Sequence, residues 1–429
     1  MKWRTRGSVR NRTCLWLGVG CLVTLLATPS ADYGHAETLP APYKHSPLRI
    51  TSPSSAARQE AASKVTSRPN ILFVLVDDMS MDELPYLESV NHLIADRGVR
   101  FDRAFVPYPL CCPARATILS GQYPHNHGVM SNKAPLGGVT AFRDKQTLPV
   151  WLQRSGYNTM LIGKYLNQYK KIGDYLPPGW SDWRGVLTEL QYRTWDMNRN
   201  GRRVTFEDRY QTTEVAAQAR RAIATYAARR RPFFMYVSFV APHSGKPREA
   251  DDPPHVPTPN VADAFRDALA STIPPKPASF NEADMSDKPA YLRGLARRSW
   301  PRMVETWQQR TESLLSVDEA VASFVQKLKI SGELDNTMIV FTSDNGFLLG
   351  EHRWHGKSVP YEEATHVPLL VRGPGFPAGT KAHQLVSLAD LAPTFLRAAR
   401  ATPTRTLDGA ALQPIAGDPR FLSHRSIVL

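Results

Sequence analysis

An α/β fold built on a doubly wound, mostly parallel sheet flanked by helices follows from three observations. First, Asn70–Val76, Asn158–Ile162, Pro232–Val240 and Thr337–Thr342 are apolar runs without alternation, as expected of strands buried on both faces. Second, helical patterns lie between them: Leu314, Val317, Val321, Phe324 and Leu328 form one stripe within a helix predicted over Met303–Ile330. Third, each run stops at polar residues, namely Asp77 and Asp78, Lys164, His243, then Asp344 and Asn345. In a doubly wound sheet such ends converge on one edge, where open α/β sheets bind ligands.

In chain order, residues 1–36 open with five basic residues, Lys2 to Arg12, followed by an apolar run from Cys14 to Ala27 and then small residues. This reads as a secretory signal peptide, and the run is too short for a stable membrane span. Residues 37–67, rich in Pro, Ser and Ala, read as a flexible lead-in. Two of the four cysteines, Cys14 and Cys21, leave with the signal. Cys111 and Cys112 are neighbours that would bridge only with strain, so chemistry explains them better than a disulfide framework. The formal charge of +14, lowered by the five basic residues of the signal, favours encounter with anionic ligands. The Arg229–Arg231 cluster reads as the cationic end of a helix from about Glu214, and nucleic acid finds no other support.

Pro85–Ala95 and Leu148–Arg154 are predicted helices, and Val99–Phe105 a strand. At Cys111-Cys112-Pro113-Ala114-Arg115, Pro113 suits the first turn of a helix. That puts Cys111 at the positive end of a helix dipole with Arg115 in reach, a place for an anion. An ordinary helix start with a buried thiol is the competing reading. Residues 170–211, with Trp180, Trp183, Tyr192 and Trp195, show little period and read as surface loops able to line a cleft, although tryptophans in such a stretch are as often covered by neighbouring loops. The Pro-rich Gly245–Arg302 stretch reads as an insertion near the site. Val367–Arg372 is a predicted strand and Leu388–Ala399 a helix.

Paired carboxylates at a strand end are unfavourable without a cation. Asp77, Asp78, Asp344 and Asn345 are hard oxygen donors, which favours Ca²⁺ over Mg²⁺ or Mn²⁺ and disfavours Zn²⁺.

The C-x-P-x-R pattern followed by A-T-I-L-S-G-Q-Y-P resembles the sulfatase signature, and the run through Tyr123–His127 is most similar to the glucosamine-6-sulfatase-like branch. Ala114 stands where many members have Ser. The resemblance implies the alkaline-phosphatase-like fold over residues 68–400, with 401–429 beginning a curtailed antiparallel C-terminal subdomain. It implies that Cys111 is oxidised to formylglycine by a formylglycine-generating enzyme and joins the metal set. It further implies that Arg115, Lys164 and Lys357 contact the sulfate and that His243, in its A-P-H context, acts on the leaving group. The usual G-K-W-H histidine is missing, since Leu166 occupies its place; His352 and His355 are weaker site candidates. The function implied is a secreted sulfuric ester hydrolase acting on aryl or sugar sulfates. The alternatives are a phosphonate monoester or phosphodiester hydrolase of the same architecture, and a catalytically silent binder of anionic glycans.

Overall fold

The computed structural model describes residues 68–229 and 231–429; the signal and lead-in readings, and Arg230, lie outside the described residues. The central sheet contains β1 (Asn70–Asp77), β2 (Val99–Phe101), β3 (Asn158–Gly163), β4 (Asp182–Val186), β5 (Trp195–Arg199), β6 (Arg202–Phe206), β7 (Phe233–Pro242), β8 (Thr337–Ser343), β9 (Leu369–Arg372) and β10 (Thr380–Ala382). Their order is β10-β2-β9-β8-β1-β7-β3-β4-β5-β6. The five strands from β8 through β4 are mutually parallel, while β5, β6 and β9 pair antiparallel.

Strand β1 shows why its apolar run does not alternate. Ile71, Phe73 and Leu75 pack with the helices α1 (Cys111–Ser120), α2 (Leu148–Arg154) and α5 (Leu391–Ala399). Leu72, Val74 and Val76 pack on the other face with α3 (Gln211–Ala227) and α4 (Trp300–Ile330). Period 2 therefore sends every second residue into one of two cores, and all eight residues of β1 are buried.

The segment from 170 to 211 differs from the sequence expectation. It forms β4, β5 and β6, and Trp183, Tyr192 and Trp195 are buried rather than lining a cleft. Trp183 meets Tyr165 edge-on at 5.0 Å and Trp195 stacks on Phe206 at 4.2 Å. The period was hidden because these strands are only five residues long and unevenly covered: β4 is buried at all positions but Arg184, whereas β6 opens with two exposed arginines.

Other departures are local. The run 99–105 breaks into β2 and the bridge-length strand Ala104–Phe105, and the region 81–95 is three short helical pieces rather than one helix. Residues 401–429 hold the helix Leu412–Gly417 and no strand; Leu412 and Ile415 join the main core. A small antiparallel pair instead joins Leu348–Leu349 to His355–Gly356. Among the described residues, no helix is long and apolar enough to cross a membrane.

Candidate active site

Because β1, β3, β7 and β8 are parallel and adjacent, the residues that follow them emerge on one edge. Asp77, the last residue of β1, still pairs with Pro242 across a register shift, but Asp78 turns to φ 77°, a left-handed conformation costly for a residue with a Cβ. Its surroundings hold it there. The Asp78 N–H donates to Asp344 Oδ1 at 3.2 Å, Arg310 Nη2 donates to its carbonyl at 2.5 Å, and Asn345 Nδ2 donates to its Oδ1 at 2.7 Å. The same Oδ1 accepts from Lys357 Nζ.

Gly163 ends β3 at φ 119°, where a Cβ would lie 1.9 Å from the Ser238 carbonyl oxygen. That close approach lets Lys164 N–H donate to Ser238 O at 2.9 Å and sends the Lys164 side chain inward to pair with Asp77. His243 follows β7, and its Nδ1 meets the Ser244 carbonyl at 2.7 Å. A carbonyl only accepts, so Nδ1 carries a proton and Nε2 is the nitrogen that faces Asp78 Oδ2, at 3.7 Å.

Helix α1 begins at Cys111 after the extended Leu110, as Pro113 implied. The Cys111 thiol donates to Asp77 Oδ1 at 3.3 Å and accepts from Lys357 Nζ at 2.8 Å. One turn on, Arg115 Nε donates to Asp344 Oδ2 at 2.7 Å, and its Nη1 donates to Ser238 Oγ at 2.7 Å and to the Lys164 carbonyl at 3.1 Å. Arg115 Nη2 stands 3.5 Å from Asp77 Oδ2 and makes no hydrogen bond. The nine residues singled out in the sequence thus meet in one cluster: Asp77, Asp78, Cys111, Arg115, Lys164, His243, Asp344, Asn345 and Lys357.

Burial and charge act against each other here. Burial alone would raise the Asp77 carboxyl, but Lys164, His243 and Arg115 hold it well below the usual range. Burial, reinforced by Asp77, moves the neighbouring Asp344 upward. Burial, and then Asp77, push the Cys111 thiol well up, so an unmodified thiol stays protonated and is a weak nucleophile. Burial lowers His243.

The donor set fits a hard divalent cation. Asp77, Asp78, Cys111 and His243 present ligand atoms within 4.8 Å of one another. Asp344 and Asn345 both bond to Asp78, and the buried Asn345 Oδ1 has no hydrogen-bond partner. Carboxylate and amide oxygens predominate, the chemistry of an oxygen-liganded ion.

Leu166, in the place of the missing histidine, is fully buried in the apolar core and offers nothing to the cluster. His352 pairs with Glu282 at 2.7 Å, and His355 lies edge-on to Phe347. Sequence reasoning missed Arg310. It sits in phase with the apolar stripe of α4, four residues before Leu314, and its Nε donates to Glu83 Oε1 at 2.8 Å. A lone arginine on the buried face of a helix was the available signal.

The family model for the sulfatases matches residues 69–401. The chain is 33% identical over 385 residues to the N-acetylglucosamine-6-sulfatase of Homo sapiens, covering 85% of this chain and 67% of that protein. It is 32% identical over 387 residues to the extracellular sulfatase SULF-1 homolog of Drosophila melanogaster, covering 86% of this chain and 33% of the fly protein. The chain therefore spans only about a third of that relative's length, and 49% of the corresponding Caenorhabditis elegans protein. A solved structure in complex with its substrate D-glucosamine-2-N,6-O-disulfate superposes with TM-score 0.65 at 25% identity, covering 82% of this chain and 80% of the other. The phosphonate monoester hydrolase of Agrobacterium radiobacter shares the fold, with TM-score 0.61 at 24% identity and coverage of 81% and 77%. With its signature cysteine, strand-end carboxylates and matched length together, the chain belongs to the sulfatase family.

Proposed function

We propose that this protein is a secreted sulfuric ester hydrolase that cleaves aryl or sugar sulfates through a formylglycine diol made from Cys111. The observation that supports this best is the placement of Cys111 Sγ, 3.3 Å from Asp77 Oδ1 and 2.8 Å from Lys357 Nζ. There Sγ stands in for an oxygen of the hydrated aldehyde. A hydroxyl in that position has a carboxylate to accept its hydrogen bond and a cation to meet an incoming anion, and the neighbouring Asp344, whose carboxyl burial moves upward, is the acceptor for its proton.

The metal reading is Ca²⁺, held by Asp77, Asp78, Asp344 and Asn345 together with residue 111. When bound, it would supply polarisation of the sulfuryl oxygens and a lower pKa for the diol. The chain's own groups do the rest. One diol oxygen attacks sulfur while Arg115, Lys164 and Lys357 balance charge on the sulfuryl oxygens. The bond from sulfur to the substrate oxygen breaks, and His243, protonated at Nε2, hands a proton to the departing alcohol. The second diol hydroxyl then returns a proton to His243 Nε2, its oxygen re-forms the aldehyde, and the C–O bond to sulfate breaks with its electron pair leaving on the sulfate oxygen. Water restores the diol. A serine in this place would leave a stable sulfate ester, which is the physical reason for an aldehyde.

The test uses the exported, matured protein. The expected result is an aldehyde mass at residue 111, turnover of an aryl sulfate in preference to an aryl phosphonate or a phosphodiester, and a loss of at least about a thousandfold in Cys111→Ala. Preference for phosphorus would overturn the sulfatase reading. An active-compartment protein with an intact thiol and no turnover would identify a binder of anionic glycans.

A further inference from the structure

The oxygen donors come from turns after different strands, Asp78 after β1 and Asp344 with Asn345 after β8, and one side chain from outside both turns touches each of them. Arg310 projects from α4 with only 2% of its surface exposed. Its Nη2 donates to the Asp78 carbonyl at 2.5 Å. Its Nε and Nη2 also donate to Glu83 Oε1 and Oε2, at 2.8 and 3.1 Å, a two-pronged pair with a carboxylate on the chain that follows Asp78. The guanidinium carbon lies 4.7 Å from the centre of the Phe347 ring, on the chain that follows Asn345.

Glu83 completes the frame. It is fully buried, and its Oε2 accepts from the Ser80 N–H at 2.7 Å, while Ser80 Oγ donates to the Phe347 carbonyl at 3.0 Å. Met79 N–H donates to Ser343 Oγ at 2.9 Å. The chain after Asp78 is thus bound to Arg310 on one side and to the turn after β8 on the other. Among the proposed ligands only Asp78 holds a positive φ, so it is the one whose backbone depends most on what surrounds it. A buried arginine–carboxylate pair gains little over apolar side chains of the same volume, so stability is a weak reason for placing one here. A planar fork that serves a carboxylate and a carbonyl together is something a lysine cannot supply.

We propose that Arg310, fixed by Glu83, is a positioning residue for the cation: it holds the Asp78 backbone in its left-handed turn, keeps the Asp78 carboxylate beside Asp344 and Asn345, and so raises the affinity for Ca²⁺. This rests on the Ca²⁺ reading of the cluster. Both Glu83 oxygens are occupied and a guanidinium is no metal ligand, so the pair acts through Asp78. It is also neutral as a whole. Removing both partners changes what holds the turn and leaves the net charge beside the ion as it was.

The experiment titrates Ca²⁺ by calorimetry into the matured protein after chelation, and records the thermal midpoint without Ca²⁺. Glu83→Gln/Arg310→Met leaves an amide oxygen for the Ser80 N–H; it is expected to melt close to the parent and to bind Ca²⁺ with a Kd raised about 10–100-fold. Arg310→Lys keeps a charge opposite Glu83 without the fork, is expected to raise the Kd about tenfold, and decides the matter if the double variant does not fold. In both, turnover of an aryl sulfate should need more Ca²⁺ for half its maximal rate by the same factor, with KM for the ester in place at saturating Ca²⁺. As a control, Asp390→Asn/Arg425→Met removes another buried acid with its arginine, paired at 2.6 Å, and is expected to lower the melt and leave the Kd unchanged. A parental Kd in the Arg310 variants would reduce the pair to a structural tie and overturn the proposal, as would an equal rise in the Asp390 control. A parent that binds no Ca²⁺ would instead overturn the ion itself, and this role with it.

Discussion

Two buried acidic groups in this molecule are satisfied in opposite ways. Asp390, at the start of α5, has both oxygens fully engaged: Oδ2 accepts from Ser387 N at 2.8 Å and Arg425 Nη1 at 2.6 Å, and Oδ1 accepts from Ala410 N at 2.7 Å and Arg425 Nη2 at 2.7 Å. Asp77, Asp78 and Asp344 crowd together at the sheet edge, and their charge is met by three side chains, Arg115, Lys164 and Lys357. Around them Arg115 Nη2 and Asn345 Oδ1 are buried without partners. A carboxylate that serves the fold is closed by rigid backbone donors and a two-pronged arginine. A cluster that serves a ligand keeps unfilled donors and acceptors and leans on lysines, which can turn toward an incoming anion.

The largest effect that can break this contrast comes from exchanging the two roles. Asp390→Ala leaves the half-buried Arg425 without its partner and two N–H groups unpaired, and such losses together cost about 3 kcal/mol. Its thermal midpoint is expected to fall sharply, while the protein that remains folded keeps its kcat. Asp344→Asn relieves like-charge crowding and keeps an oxygen for Arg115 but turns its NH2 toward the Asp78 N–H, so its stability is expected to fall by only about 1–2 kcal/mol, with turnover down by roughly a thousandfold. Paired thermal melts and kinetics read both. A stable Asp390→Ala beside an unfolded Asp344→Asn would reverse the assignment.

Removing the cation sharpens the same comparison with a smaller energy. Chelation is expected to abolish sulfate-ester turnover and to leave the chain folded, because Lys164 and Lys357 still neutralise Asp77 and Asp78. Restoring Ca²⁺ at about a hundred times its Kd should stabilise the parent by about 2.7 kcal/mol. The Asp344→Asn variant should show a smaller gain at the same concentration and Asp390→Ala the full one. A thermal midpoint indifferent to Ca²⁺ in the parent would exclude an ion at this cluster.

The same distinction explains what could be read from the chain beforehand. Residues placed just past a strand, such as Asp77, Lys164, His243 and Asp344, were legible because one-dimensional position fixes three-dimensional position when parallel strands are adjacent. Cys111 and Arg115 were legible because a helix start fixes both. Arg310 was legible only as a lone arginine on the buried stripe of α4; its bond to the Asp78 carbonyl is a fact of packing that no local pattern carries. The burial of the tryptophans of β4 and β5 could not be decided from the chain for a related reason: it is supplied by Tyr165 and Tyr169, from the preceding segment, and by Phe206 across the β5–β6 pair.

The last test concerns a histidine that belongs to neither kind of cluster. His127 is buried beside α1: Val129 N–H donates to its Nδ1 at 3.1 Å, so the ring proton lies on Nε2 and is donated to Thr117 Oγ1 at 3.0 Å. Burial, and then Arg405, push this imidazole down to about 4 from an ordinary value near 6.5. Below 6.5 the unfolded chain takes up a proton that the folded one refuses, so stability falls as pH drops from 6.5 toward 4 and levels off beneath it. The full loss is about 3 kcal/mol. His127→Gln, which can keep a donor toward Thr117, should remove that slope between pH 4 and 6.5 and leave the Asp390 pair untouched. Because Thr117 lies on the helix that carries Cys111, the melt can be compared with the pH profile of KM. If the clamp is purely structural, the variant changes the melting curve in acid and leaves the KM profile unchanged; a shifted KM profile would place His127 in the positioning of Cys111 and blur the line between the two kinds of buried charge.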